Sequence, residues 1–378
     1  MHDVIIVGAG PVGLFMGALL LRQGLDVSIL EQRGTRGEQS RAIGIHPPAL
    51  AVLDTVEAAS TLADQGIRIA HGTAYSRGRK VAGLDFSGTS SAFPFILSVP
   101  QAITGQVLED TVRTLDPDAL CRGVEVLDVF DDGGSVLVRA ARCRTEVLEL
   151  TARLVIAADG ARSRIRSQLG QQEKVRHYPD CYIMGDFGDN TPNGHDAVLF
   201  LEPQGIVECF PLPGGIRRWV VRLGEPCTEP TAQLLAQLVR VRTATHLDVE
   251  SNSMLSAFEV RSRLARRTIH GRVALLGDAA HEISPIGGQG MNLGWLDAAA
   301  LAPIVGRALA GEPVGRELQD YEQSRYRAAL RAVRQAGLNM VLGRPLPPQL
   351  LAARNRMFGR GIAMPAVADL VARRFTMH

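Results

Sequence analysis

Apolar residues along this chain change their spacing several times, and the changes divide it into elements. Asp3 to Val7 is an apolar run that closes on a glycine-rich segment, Val12 to Gln23 is apolar over a helical period, and Val27 to Glu31 is a second short apolar run. Strand, helix and strand in that order predict a βαβ unit with a right-handed parallel crossover.

From Gly72 to Leu97 the pattern becomes short alternating stretches separated by Gly and Ser turns, and Tyr178 to Leu223 repeats that character. Both segments predict hairpins of a second, mostly antiparallel sheet. Gln101 to Leu115 has helical periodicity, and Val124 to Phe130 and Val136 to Ala140 flank the turn Asp131-Asp132-Gly133-Gly134. Leu154 to Ala158 and Val273 to Gly277 are unbroken apolar strands of the kind buried on both faces of a parallel sheet, and a long helix follows from Gly290 to Leu309. The predicted fold is therefore α/β. A Rossmann-like dinucleotide domain is assembled from 1–71, 98–172 and 272–340, and an inserted, mostly antiparallel β-sheet domain spans 72–97 and 173–271. The Pro-rich segment Gly343 to Pro348 reads as a hinge to C-terminal helices, 341–378.

A length of 378 residues supports two joined domains with a sizeable core. Of the 41 basic residues all but Lys80 and Lys174 are arginine, and they are scattered, with a net charge of +2. A nucleic-acid partner would call for a clustered basic face, so none is expected. Cys121, Cys143, Cys181, Cys209 and Cys227 are odd in number and widely spaced, without a Cys-x-x-Cys pair or a nearby histidine at metal-ligand spacing. That usage points to a reduced, cytoplasmic setting and to no metal. The N-terminus enters a strand directly, with neither a basic leader nor the ~20 apolar residues of a membrane span, so no integral membrane association is expected.

Three motifs carry chemistry. The first is Gly8-Ala9-Gly10-Pro11-Val12-Gly13 between strand and helix, with Glu31 ending the next strand. Gly8 permits a tight turn, Gly10 lets backbone approach a pyrophosphate, Gly13 allows close helix packing, and the helix N-terminus stabilises the anion. Glu31 is placed for the two hydroxyls of a ribose, which favours FAD or NAD over NADP as the bound dinucleotide. The second is the strand Leu154 to Ala158 ending in Asp159-Gly160, followed by Arg162, Arg164 and Arg166. Alone it reads equally as an ordinary strand-to-helix turn. The third runs from Arg272 through Gly277-Asp278 and His281 to Pro285-Ile286-Gly287-Gly288-Gln289-Gly290-Met291-Asn292. Its aspartate suits a sugar-like chain, its glycines let amides face a flat ring, and the helix start aims positive potential at a reduced flavin.

In order and spacing these motifs resemble the class A, single-component FAD-dependent aromatic hydroxylases, the p-hydroxybenzoate hydroxylase-like group, over about residues 3–340. The resemblance implies tightly bound FAD and NADH or NADPH that binds only transiently, since no second Gly-x-Gly-x-x-Gly unit is present. It implies that hydride reduces the flavin, dioxygen adds at C4a, and the hydroperoxide hydroxylates a small aromatic or polyketide-like substrate. It also implies that Asp159 contacts cofactor, that Asp278 meets the ribityl chain, and that Gly287 to Asn292 lie beside the pyrimidine end of the ring. Arg41 matches the arginine at the FAD phosphates and Gln101 the glutamine near the ribityl chain, although Thr104-Gly105-Gln106 replaces the acidic residue that often follows.

Substrate-side residues are less determined. Pro285 either lines the space between flavin and substrate or is a rigid bend. His46 either approaches the ring as acid, base or donor, or borders the helix start at Pro47-Pro48. His281 fits a structural role. Phe95, Tyr182 and Phe210 either wall a pocket or are plain core. A geranylgeranyl-reductase-type FAD reductase shares the first and third motifs, but no membrane-binding stripe is evident. A flavin halogenase would have closely spaced tryptophans, whereas Trp219 and Trp295 are far apart. A non-catalytic flavin-binding protein has no use for a loop built against a reduced flavin. The chain is expected to belong with the short forms, without the thioredoxin-like C-terminal domain of longer phenol and polyketide hydroxylases, and to be a monomer or homodimer.

Overall fold

The computed structural model describes residues 1–37, 42–142, 146–170 and 173–377. Among these, two eight-stranded sheets and one three-stranded sheet account for the β structure. In the first sheet His2–Val7 lies between Val27–Glu31 and Glu146–Ala157, all parallel, with Leu120–Arg122 and Val273–Leu275 extending it in parallel on either side. The hairpin Val124–Asp131 and Val136–Arg142 joins antiparallel to the outer half of Glu146–Ala157. The carboxyl ends of the central strands converge, which is where open α/β sheets bind ligands.

The first helix, Pro11–Leu21, lies close on this sheet because Gly17 has no side chain, and a Cβ there would sit 2.4 Å from Ile29 Cδ1. Leu14, Phe15, Ile6 and Trp295 are buried together in one core with the helices Gln101–Leu115 and Gln289–Leu309.

In the second sheet every pairing is antiparallel except that of Ala197–Phe200 with His71–Ser76. Its register is set by hydrophobic alternation, because a slip of one residue would turn every side chain to the other face. Ile183, Cys209, Trp219 and Val221 pack on one face with Leu235 and Val239 of helix Ala232–Thr243. Tyr182, Met184, Phe210 and Val220 pack on the other face, against Ile286, Met340 and the C-terminal helices Pro348–Ile362 and Pro365–Phe375. The second face thus looks toward the loop of the third motif.

Two local expectations are corrected. Ile96–Ser98 does not join the second sheet; it pairs with Gly44–Ile45 and Ile67–Ile69, because Leu97 is buried in the first core. Gly343 to Pro348 is docked rather than hinge-like. The Gly343 carbonyl accepts from Ile206 N–H at 2.9 Å, the Leu346 N–H donates to Pro203, and Arg344 pairs with Asp180 at 2.7 Å.

Candidate active site

At the carboxyl ends of the parallel strands a cleft of about 540 Å³ opens, and Gly8, Gly10, Pro11, Glu31, Gln101 and Asp159 all line it. Gly8 is held at φ +103°, and a Cβ there would meet the Ala158 carbonyl at 2.5 Å, so only glycine lets the first motif touch the second. A Cβ on Gly13 would sit 2.1 Å from the Gly8 carbonyl, whereas one on Gly10 would meet nothing within 4 Å. Two of these glycines therefore close the turn, and the third leaves backbone bare toward the cleft. Trp295, fully buried, fastens the turn by donating from Nε1 to the Pro11 carbonyl at 3.1 Å.

Glu31 accepts from the Ala9 N–H at 2.9 Å and the Arg33 N–H at 3.0 Å, which fixes its carboxylate at the cleft wall. Asp159 accepts from the N–H groups of Arg164 and Ile165 through Oδ2, while its Oδ1 is buried with no hydrogen bond. That unpartnered buried acceptor suits a donor on a ligand lying in the cleft. Arg36, Arg162 and Arg164 add positive charge to the same cleft.

The third motif forms a second cluster, joined to the first by Val12. A Cβ on Gly294 would lie 2.6 Å from Val12 Cγ2, and one on Gly277 3.3 Å from Val12 Cγ1. The Gly288 N–H donates to the Pro285 carbonyl at 2.9 Å, and Gly287 at φ +95° and Gly288 at φ +66° turn the chain into helix Gln289–Leu309. Pro285 is exposed beside buried Ile286, and Met291 is half-buried against the first core. Gln289 is buried. Asn292, fully buried, accepts from the His46 N–H at 2.8 Å and donates to the carbonyls of Gly44 and Gly288. Its side chain braces the loop from within. His46 Nε2 lies 3.3 Å from the Gly287 carbonyl, and His46 is also the N-cap residue of helix Pro47–Leu53, its carbonyl accepting from the N–H groups of Ala49 and Leu50.

Asp278 is solvent-accessible yet closely surrounded, and loss of water around it raises its carboxyl pKa, countered by His281 and Arg166. Behind it, His281 and Arg325 both bond Asp297. Burial disfavours the imidazolium, but the Asp297 carboxylate outweighs it and the His281 pKa is raised. Buried Arg166 donates to the carbonyls of Asp278, Ala279 and Ala161, tying the second motif to the third. Its position in the arginine run after Asp159 was visible in sequence, but its inward direction was not.

The expected pocket wall is divided. Tyr182 and Phe210 share one cluster, whereas Phe95 sits in the first core with Phe93 at 6.2 Å and Arg68 over its ring. Arg41 lies outside the described residues.

The FAD binding domain family matches residues 1–336. The chain belongs to that family. It is 29% identical over 334 residues to an uncharacterized aromatic compound monooxygenase of Bacillus subtilis, covering 87% of this chain and 66% of that one. It is 30% identical over 364 residues to a 12-dehydrotetracycline 5-monooxygenase/anhydrotetracycline 6-monooxygenase of Streptomyces rimosus, covering 92% and 71%. The chain thus spans about two thirds of the length of these curated relatives. The fold is that of the p-nitrophenol 4-monooxygenase of Pseudomonas putida, with a TM-score of 0.89 at 23% identity, over all of this chain and 98% of that one. The bare Gly10 backbone, the anchored Glu31 and the orphaned Asp159 Oδ1 all fit FAD as the family's ligand. Among the described residues no helix is long and apolar enough to cross a membrane, and no cluster of His, Cys, Asp or Glu has the make-up to hold a metal.

Proposed function

We propose that this chain is an FAD-dependent monooxygenase that takes electrons from NADH or NADPH and uses O2 to hydroxylate a small aromatic or polyketide-like substrate. The observation that carries the reading is the third motif with its helix, which packs on Val12 of the first motif on one side and on the apolar face of the second sheet through Ile286 on the other. A flavin-binding fold whose ring-end loop packs against an apolar sheet face suits oxygen transfer to an organic substrate. The tetracycline and aromatic-compound monooxygenases among its relatives support it further.

Bound FAD would supply the redox chemistry, accepting hydride and activating dioxygen. The chain's own work is positioning. Gly10 and the N-terminus of helix Pro11–Leu21 would hold the pyrophosphate, Glu31 the adenosine ribose, and Asp159, Gln101 and Asp278 the central part of the cofactor. Gly287 and Gly288 would present backbone to the ring, and the start of helix Gln289–Leu309 would stabilise negative charge there. Ile286 and the face carrying Tyr182 and Phe210 would exclude water, with Pro285 between ring and substrate. In this reading 1–71, 98–172 and 272–340 bind FAD, and 72–97 with 173–271 bind substrate. The protein would act in the cytoplasm on a small molecule, as a monomer or homodimer.

The test is the rate of flavin reduction by NADH and by NADPH, with and without a panel of phenols and polycyclic aromatics. Reduction followed by oxygen uptake coupled to hydroxylated product is expected. Reduction coupled instead to hydrogenation of an alkene, with oxygen not required, would establish the reductase alternative.

A further inference from the structure

On the face of the second sheet that meets the third-motif loop, two carboxylates are held by arginines. Asp180 is bonded by Arg222 and Arg344, and Asp186 is held by two bonds from Arg218. Glu208, on strand Val207–Leu212, stands opposite Val220 on one side and Leu199 on the other. Among the described residues its carboxylate makes no hydrogen bond and no ion pair, and burial alone pushes it up to about 7. The residue is half-buried, so its carboxyl is within reach of a molecule lying on this face.

On the same face of the sheet a second polar group lacks a partner. Tyr182 is 1% exposed, and its hydroxyl is buried with no hydrogen bond, although the ring itself is well packed against Phe258 at 5.6 Å. The negative charge of Glu208 reaches that hydroxyl and, after burial, is the largest influence raising its pKa. Tyr182 and Val220 share an apolar cluster with Ile286, next to Pro285. Among the described residues, a half-buried carboxyl without a protein partner and a buried hydroxyl without one thus share the face that meets the loop, one an acceptor and the other a donor.

We propose that Glu208 and Tyr182 form a recognition pair for a hydroxyl group on an uncharged aromatic substrate. The Glu208 carboxylate accepts the substrate O–H, and the Tyr182 O–H donates to a substrate oxygen. An aromatic carboxylate is rejected, because it would bring a second negative charge to Glu208 while the arginines of this face are already engaged. The assignment rests on the monooxygenase reading for where substrate sits, and it names what that site selects.

The experiment titrates the FAD-loaded protein with a naphthol, its methyl ether and the corresponding naphthoate, following the change in flavin absorbance. The wild type is expected to bind the naphthol at least tenfold more tightly than either analogue. Glu208→Leu should weaken naphthol binding roughly tenfold to a hundredfold, the loss of one hydrogen bond to a charged group, while leaving the ether unchanged. Tyr182→Phe should act in the same direction. Glu208→Gln, which keeps shape and an acceptor, should retain part of the preference. FAD content and melting temperature of each variant report folding separately. A Glu208→Leu protein that keeps the full hydroxyl preference, or a wild type that prefers the naphthoate, would overturn the pair. If the wild type shows the preference but hydroxylates nothing, the activity reading fails and the pair stands.

Discussion

Gly10→Ala separates binding from folding more cleanly than any other change in the first motif. Gly10 has φ −71° and ψ 170°, a conformation any residue adopts, and a Cβ there would meet nothing within 4 Å of protein. The methyl therefore costs the empty protein nothing, and by restricting the unfolded chain it should stabilise by about 0.4–1 kcal/mol. In the proposed function the same methyl projects where the FAD pyrophosphate would approach the backbone. Losing one charge-assisted backbone hydrogen bond there costs about 1.5–3 kcal/mol, or roughly 10- to 150-fold in FAD affinity. Gly13→Ala is the contrast, because its Cβ would sit 2.1 Å from the Gly8 carbonyl and the helix must shift. That variant should lose about 1–3 kcal/mol of stability as well as FAD. The assay is fluorescence titration of apoprotein with FAD, alongside thermal melts without FAD. A Gly10→Ala protein that binds FAD within threefold of wild type, or that melts well below it when empty, would refute the reasoning.

Other consequences follow from buried polar bonds. Trp295→Phe removes the donor to the Pro11 carbonyl and should cost about 1–3 kcal/mol while accelerating FAD release, measured by melting and by dissociation kinetics. Asp297→Asn leaves His281 and Arg325 without their buried carboxylate and should cost about 3–5 kcal/mol by denaturant unfolding. Because the folded His281 pKa is raised above the ordinary imidazole value of 6.5, its stabilising contribution is complete below that value and is lost as pH rises through the raised one. Melts of the wild type at pH values rising from 6.5 should show that loss, and Asp297→Asn should not. Equal pH slopes in the two proteins would contradict the assignment.

Much of the first sheet was legible because its strands are buried on both faces and read as continuous apolar runs. Val27–Glu31 and Gln101–Leu115 occur with the expected bounds. The turn glycines were legible for the same reason that they are glycines: Gly8 and Gly13 sit where backbone meets backbone. What escaped was direction. Arg166 was one arginine in a run of polar residues, yet it is buried and turned inward, whereas Arg162 and Arg164 line the cleft. Asn292 carried the same motif position as a ring contact would, but its amide is engaged with His46, Gly44 and Gly288. Phe95 and Phe210 were equivalent as aromatic residues in alternating strands, and only the pairing of Ile96–Ser98 with the small sheet put Phe95 in a different core. Glu208 gave no motif at all, since a single glutamate in a strand becomes informative only when its neighbours across the sheet are known to be apolar.

The most direct test of the central claim is isotope incorporation. Purified, FAD-loaded protein is supplied with NADH or NADPH, a panel of hydroxylated aromatics and ¹⁸O₂, and the products are weighed by mass spectrometry. A product carrying one ¹⁸O atom is expected, formed in step with nicotinamide oxidation. Nicotinamide oxidation in which all the ¹⁸O appears in hydrogen peroxide or water, with every aromatic recovered unlabelled, would contradict it.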